Sequence, residues 1–318
     1  MKKAEWLSYF CCERNNIFTF TMACTINFNS DSTGSFYAGD IVTGTVILEL
    51  KNEQKFQSID LKVTGLCKAQ WTRPMPTMPY IKIYSEKKKV LSLLMTDIFR
   101  DLSVGSVLPA GIHHYPFHFA LPPDLPSTFD SSVAKITYTV KIQSKPAYKL
   151  RKLATFNVFG NVNVNHMEEY LMPTFNEFHK TFRNSGKFTI CVKTYRAFAP
   201  RQTIPFEVTL VNERKVKIRK IVISLIQKIK YSVHSGYADE ERKMSKAEYK
   251  KFSLNIAELC FFNMEIPHII PSTMDIEDPM VHISYIFRIQ VIFPFHTSLQ
   301  EDMSVIVSTA PVLHYDFK

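Results

Sequence analysis

A chain of 318 residues with 39 basic and 29 acidic side chains, net +10, is too long for one β-sandwich and long enough to bury two separate cores. Its nine glycines include no GxxxxGK or GxGxxG run, which argues against nucleotide chemistry, and no stretch approaches the roughly 18 apolar residues of a membrane span. The six cysteines, Cys11, Cys12, Cys24, Cys67, Cys191 and Cys260, form no C-x-x-C pair, so neither a zinc site nor a redox motif is signalled and reduced thiols in a cytosolic chain are expected.

In chain order, residues 1–21 read as an N-terminal extension. The apolar piece from Trp6 to Cys12 is stopped by Glu13-Arg14 and makes a poor signal peptide. Alternating apolar and polar residues then predict strands over Val42–Lys51 and Ser58–Gly65. In the second of these, Ile59, Leu61 and Val63 face a core while Ser58, Asp60, Lys62 and Thr64 face out. Thr72–Pro79 carries three prolines in eight residues and reads as a loop. Asp97–Ser106 suggests a helical turn. His114 and His118 share a strand face, but four residues of strand separate them by roughly 13 Å, too far for one metal ion. A strand follows over Lys135–Gln143, and the mixed residues 166–184 read as a hinge. Beyond it come strands over Ile204–Val211, Lys220–Tyr231 and His282–Ile292. Between the last two, Tyr237–Lys251 is charge-dense and rich in helix formers, which predicts an exposed helix or a mobile loop.

The halves repeat. Setting Phe36 against Phe198 brings Val46 onto Val208, Leu48 onto Leu210, Ile59 onto Ile221, Leu61 onto Ile223 and Val63 onto Leu225. Later, Pro126-Ser127-Thr128 and Ile136-x-Tyr138 recur as Pro271-Ser272-Thr273 and Ile283-x-Tyr285. The period suits a whole domain rather than a solenoid unit, and half-apolar strands bounded by Pro, Gly, Asn and Asp close most simply as two packed antiparallel sheets per copy.

Tyr37-Ala38-Gly39-Asp40 with Gly44, Ile59 to Gly65 with Trp71, Leu108-Pro109-Ala110-Gly111 with Pro116-Phe117, and Ile136-x-Tyr138-x-Val140-Lys141 resemble the N-terminal domain of the arrestin domain-containing proteins, the α-arrestins. Gln202-x-Ile204-Pro205, Asn212, Leu225-x-Gln227, Tyr231, Pro271-Ser272-Thr273 and Ile283-x-Tyr285 resemble their C-terminal domain. The resemblance implies an all-β fold of two tandem arrestin-like antiparallel β-sandwiches, residues 22–165 and 185–318, joined by a hinge over 166–184. It also implies a non-enzymatic adaptor, without cofactor or metal, that binds cytosolic parts of membrane proteins in endocytic sorting and protein transport, at the plasma membrane or endosomes. A structural subunit of a retromer-type endosomal coat is the alternative with the same plan. By analogy with arrestins, Arg73, Met75 and Met78 in the proline-rich loop are candidate cargo contacts.

Relatives usually carry PPxY motifs whose polyproline conformation is gripped by WW domains of HECT-type ubiquitin ligases. None occurs in these 318 residues, so ligase engagement is expected to need a PPxY-bearing α-arrestin partner. Arg214, Lys215, Lys217, Arg219 and Lys220 crowd into seven residues and are candidates for binding anionic lipid or a phosphorylated cargo tail. A nucleic-acid partner is not expected, because no recognition helix, zinc finger or aromatic RNA-binding signature accompanies the charge.

Overall fold

The structure is a computed structural model that describes residues 22–29, 34–74, 80–96, 107–145, 150–182, 186–213, 215–253, 255–274 and 276–316. The first half contains β1 (Met22–Phe28), β2 (Ser35–Tyr37), β3 (Ile41–Leu50), β4 (Gln54–Lys55), β5 (Ser58–Pro74), β6 (Ile81–Met95), β7 (Val107–Leu108), β8 (Gly111–Ala120), β9 (Phe129–Asp130), β10 (Ala134–Lys145) and β11 (Arg151–Phe159). A short helix, α1 (Glu168–Leu171), precedes β12 (Thr174–Phe182), β13 (Gly186–Thr194), β14 (Ala197–Phe198), β15 (Thr203–Asn212), β16 (Lys220–Val233), β17 (Gly236–Tyr249), β18 (Ala257–Glu265), β19 (Val281–Ile292) and β20 (Leu299–Val307).

Each half is a sandwich of two sheets, and the strand orders match. In the first, β1-β3-β8 faces β2-β11-β10-β5-β6, with β9 pairing β10 and a small β4-β7 ladder at the side. In the second, β12-β13-β15-β18 faces β14-β20-β19-β16-β17. β2 on β11 and β14 on β20 are both parallel pairs in otherwise antiparallel sheets. The aligned residues Val46/Val208, Leu48/Leu210, Ile59/Ile221, Leu61/Ile223 and Val63/Leu225 are all buried. Burying such aliphatic side chains contributes about 1.5–3 kcal/mol each before chain entropy is offset. The six strands expected from sequence are all present, and Ile283, Tyr285, Phe287, Ile289 and Val291 all point inward, whereas β16 is buried without alternation from Ile221 to Gln227.

The repeated Pro-Ser-Thr has a shared structural job. Tyr138 donates its hydroxyl to the Pro126 carbonyl at 2.6 Å, and Tyr285 donates to the Ile270 carbonyl at 2.5 Å. Thr128 Oγ1 accepts the Val158 N–H, and Ser272 Oγ accepts the Val307 N–H, both at 2.9 Å. A buried tyrosine thus satisfies its one polar atom on the loop that closes the sandwich. At Gly44 a Cβ would stand 2.4 Å from the Phe117 ring, so the facing aromatic layer of Phe28, Phe36, Phe117 and Phe156 admits only glycine.

Three expectations are corrected. Tyr237–Lys251 is no helix or loop: β17 pairs along its whole length with β16, and its half-buried Ala238, Met244, Ala247 and Tyr249 pack on the core. Its charges are those of an edge strand, where they discourage pairing with another chain. The hinge region instead contributes α1 and β12, an extra outer strand of the second sandwich. The proline-rich loop is shorter than read, because β5 continues to Pro74, opposite Ile81. Met75, Met78, Arg214, the 1–21 extension and Asp97–Ser106 lie outside the described residues.

The sandwiches are in contact, and their buried apolar residues form one continuous cluster. Val162, Val164, Leu171, Ala197 and Val312 make a second, smaller cluster where the connecting segment crosses. Val162 is clamped there, its carbonyl accepting Ser308 Oγ at 2.7 Å and Thr309 Oγ1 at 2.8 Å.

Candidate functional site

At the end of the second sandwich away from its partner, β15 passes to β16 through a segment held by its own backbone. Asn212 receives the Val216 N–H on Oδ1 at 2.9 Å and donates Nδ2 to the Val216 carbonyl at 2.8 Å. Lys215 adopts φ 51°, the left-handed conformation that such a tight reversal requires. Val216 and Ile218 then pack inward, so Lys215, Lys217 and Arg219 all project into solvent, and the Arg219 N–H docks on the Ile292 carbonyl at 2.8 Å. The sequence K-V-K-I-R thus places every second residue, a cation, on one exposed row.

Lys220 differs from its neighbours. It lies 3.2 Å from Glu248, which also receives Lys246 at 3.3 Å and Lys250 at 3.1 Å. Hydrogen bonds from Lys250, Lys220 and Lys246 hold the Glu248 carboxyl down to about 2, so it stays charged and offsets this group. Among the described residues, Lys215, Lys217 and Arg219 have no ion-pair partner. One feature at this end escaped sequence reading: Phe295, in the loop after Ile292, is 87% exposed while Phe293 beside it is buried against Phe182 and Phe188. An exposed aromatic at the same end as these cations suits an interface of apolar chains and anionic headgroups.

Arg73 is placed elsewhere, at the junction of the sandwiches. It donates to the Tyr237 carbonyl at 2.7 Å and stands 5.9 Å over the Tyr84 ring, which stacks on Trp71 at 5.4 Å. Gly236, at the turn between β16 and β17, leaves room for Tyr84, since a Cβ there would come within 2.7 Å of its ring. Arg73 thus lies on β5, opposite Lys82, as a strut between domains and not in the loop where it was expected. Beside it, Tyr231 donates to Glu240 at 2.6 Å and lies 3.2 Å from Ser131 of the first sandwich, while Arg242 donates to Glu240 at 2.5 Å and covers Phe129. Burial pushes the Tyr231 hydroxyl up to about 12, and the Arg242 hydrogen bond lowers Glu240.

A cleft of about 320 Å³ between the domains is lined by Cys67, Lys88, Asp124 and Met280. Burial pushes the Cys67 thiol up to about 11, so it is neutral at pH 7 and a poor nucleophile. Cys260 is likewise buried and Cys191 half-buried, and among the described residues no cluster of His, Cys, Asp or Glu could hold a metal. His113 is engaged with the Pro109 carbonyl at 2.9 Å, whereas His114 and His118 face solvent from β8.

Comparison with known proteins agrees with this architecture. The model of the arrestin (or S-antigen) N-terminal domain matches residues 24–165, and that of the arrestin C-terminal domain matches residues 184–312. The chain belongs to the α-arrestin family of arrestin domain-containing proteins. Arrestin domain-containing protein 5 of Homo sapiens is 24% identical over 297 residues, covering 87% of this chain and 85% of that protein. Its Bos taurus counterpart is 24% identical over 232 residues, 69% of this chain and 68% of that protein. Arrestin domain-containing protein 17 of Caenorhabditis elegans is 28% identical over 168 residues, 50% of this chain but only 38% of its own length. Arrestin-family proteins are generally non-enzymatic adaptors that bind membrane-protein cargo.

Proposed function

We propose that this chain is a non-enzymatic adaptor that holds cytosolic parts of membrane proteins during endocytic sorting and protein transport, working in the cytoplasm at the anionic face of the plasma membrane or endosomes. The observation that carries the reading is the row of Lys215, Lys217 and Arg219, exposed, without an ion-pair partner among the described residues, and at the same end of the sandwich as exposed Phe295. Cations of this kind near a headgroup layer contribute about 1 kcal/mol each, and an aromatic side chain adds apolar anchorage. Because these 318 residues contain no PPxY, ubiquitin-ligase engagement is assigned to a PPxY-bearing relative recruited alongside.

Proximity labelling in cells tests this directly. Membrane proteins and endocytic components should dominate the labelled set, and changing Lys215, Lys217 and Arg219 together to Gln should deplete it without altering the melting temperature. A labelled set of soluble enzymes, indifferent to the variant, would overturn the reading. Calorimetric titration of the purified chain into isolated WW domains should give no heat of binding; micromolar binding would contradict the need for a tailed partner.

A further inference from the structure

The outward face of the first sandwich's larger sheet carries an arrangement that sheet physics disfavours. Lys68 on β5 stands directly opposite Lys87 on β6 and directly opposite Lys135 on β10. Directly opposed side chains on neighbouring strands have Cβ atoms about 5 Å apart, and like charges so placed destabilise a sheet. All three side chains are exposed, Lys68 between buried Cys67 and Ala69, and Lys135 between buried Ala134 and Ile136. They therefore share one face, in a row about 10 Å across three strands. Six residues away along β5 and β10, Lys62 directly opposes Lys141, a second pair of like charges on the same face.

An acid neutralises the row at one end only. Asp130 holds Lys135 at 2.6 Å, and Glu86 is taken by the backbone N–H of His234 at 2.6 Å. Lys68 and Lys87 have no acidic partner among the described residues. The row also forms one wall of an open bowl of about 860 Å³, whose lining adds Thr72, Ser85 and Ser132 together with Glu86, the carboxylate that accepts the His234 N–H. Ammonium groups with adjacent hydroxyl donors, on a rigid ladder, make a surface for a compact multiply charged oxyanion.

We infer that Lys68, Lys87 and Lys135 form a binding site for an anion bearing two closely spaced phosphates, either a diphosphate or two phosphomonoesters on neighbouring carbons. Spacing selects the class: one phosphate bridges Lys68 and Lys87 and leaves Lys135 on Asp130, whereas two adjoining phosphates reach Lys135 as well and engage the whole row. Such an anion reaches the bowl either free in solution or as the headgroup of a lipid. The site is on the other sandwich from the Lys215–Arg219 row and does not depend on it.

Thermal melting and calorimetry of the full chain with inorganic pyrophosphate, against orthophosphate at equal ionic strength, provide the test. Pyrophosphate should raise the melting temperature by a few degrees and saturate, with orthophosphate giving at least tenfold weaker affinity. Lys68→Gln with Lys87→Gln should weaken pyrophosphate at least tenfold while melting no lower than the parent, because it removes opposed like charges; Lys217→Gln should leave pyrophosphate affinity unchanged. Phosphatidylcholine vesicles doped with a lipid whose headgroup carries neighbouring phosphomonoesters separate the sources. Capture that needs Lys68 and Lys87 assigns a lipid headgroup, and pyrophosphate binding without capture assigns a soluble anion. Equal affinity for the two phosphate probes, or undiminished pyrophosphate binding by the double variant, overturns the inference.

Discussion

Strands β5, β6 and β10 of the first sandwich occupy the places that β16, β17 and β19 occupy in the second, yet their outward charges are arranged oppositely. In the second, opposed partners carry opposite charge: Lys228 faces Glu241 and Arg288 faces Asp302. Arg288 joins the network by donating to Asp302 at 2.9 Å and to Glu241 at 2.8 Å. In the first, Lys68 faces lysine on both sides. Two copies of one fold, built on equivalent cores, thus differ in whether a sheet face satisfies itself or keeps charge for something else. The core fixes the fold, and the outward rows are free to diverge.

The largest effect should come from breaking one core and sparing the other. Leu61→Asp or Ile223→Asp places a carboxylate at a fully buried, mid-strand position in the equivalent place of each sandwich. An unpaired buried charge costs several kcal/mol against a domain stability of about 5–15. Hydrogen exchange read by mass spectrometry on the full chain should show protection lost chiefly in the mutated sandwich. Uniform loss across both would mean that the sandwiches unfold as one unit through their shared buried cluster.

Acid should separate the copies next. The Arg288 hydrogen bonds lower Asp302 and Glu241, and the Arg242 hydrogen bond lowers Glu240. A carboxylate with a depressed folded pKa contributes stability that is present above its unfolded value and lost as pH falls through the folded one. Starting from ordinary values of 3.8 for Asp and 4.5 for Glu, the loss begins as pH approaches these values and continues below them. Exchange protection of β16, β17 and β19 should therefore fall before that of β5, β6 and β10. These carboxylates are partly exposed, so screening keeps each contribution small, about 1 kcal/mol or less.

Salt should act with opposite sign on the two sheets and with the smallest amplitude. At physiological ionic strength the screening length is about 8 Å, and raising salt weakens the Arg288–Asp302 network while relieving repulsion along the Lys68 row. Local protection in β5 and β6 should rise with sodium chloride as that in β16 and β17 falls. Parallel responses would show that the lysine row stores no repulsion.

Much of the fold is legible in the sequence because period-2 alternation survives in strands buried on one side, as in Ser58–Gly65 and His282–Ile292. β12 is hidden because Phe175 and His179 point outward while Asn176 and Lys180 point toward the core side, which defeats the alternation test. β17 is hidden because its charged residues have good helix propensity, and hairpin pairing with β16 overrides it. At the distal tip, the K-V-K-I-R alternation is visible locally. The pairing of Lys220 with Glu248, 28 residues away, depends on strand register and is not. Phe295 gives only a weak signal, an aromatic following Pro294 just after a strand.

The central functional claim is that the distal tip of the second sandwich meets an anionic membrane. Hydrogen exchange of the full chain, alone and on phosphatidylserine-containing vesicles, tests it most directly. The account predicts new protection over residues 215–219 and 293–298, abolished when Lys215, Lys217 and Arg219 are changed to Gln. Membrane binding that protects other surfaces and leaves those segments unchanged would contradict it.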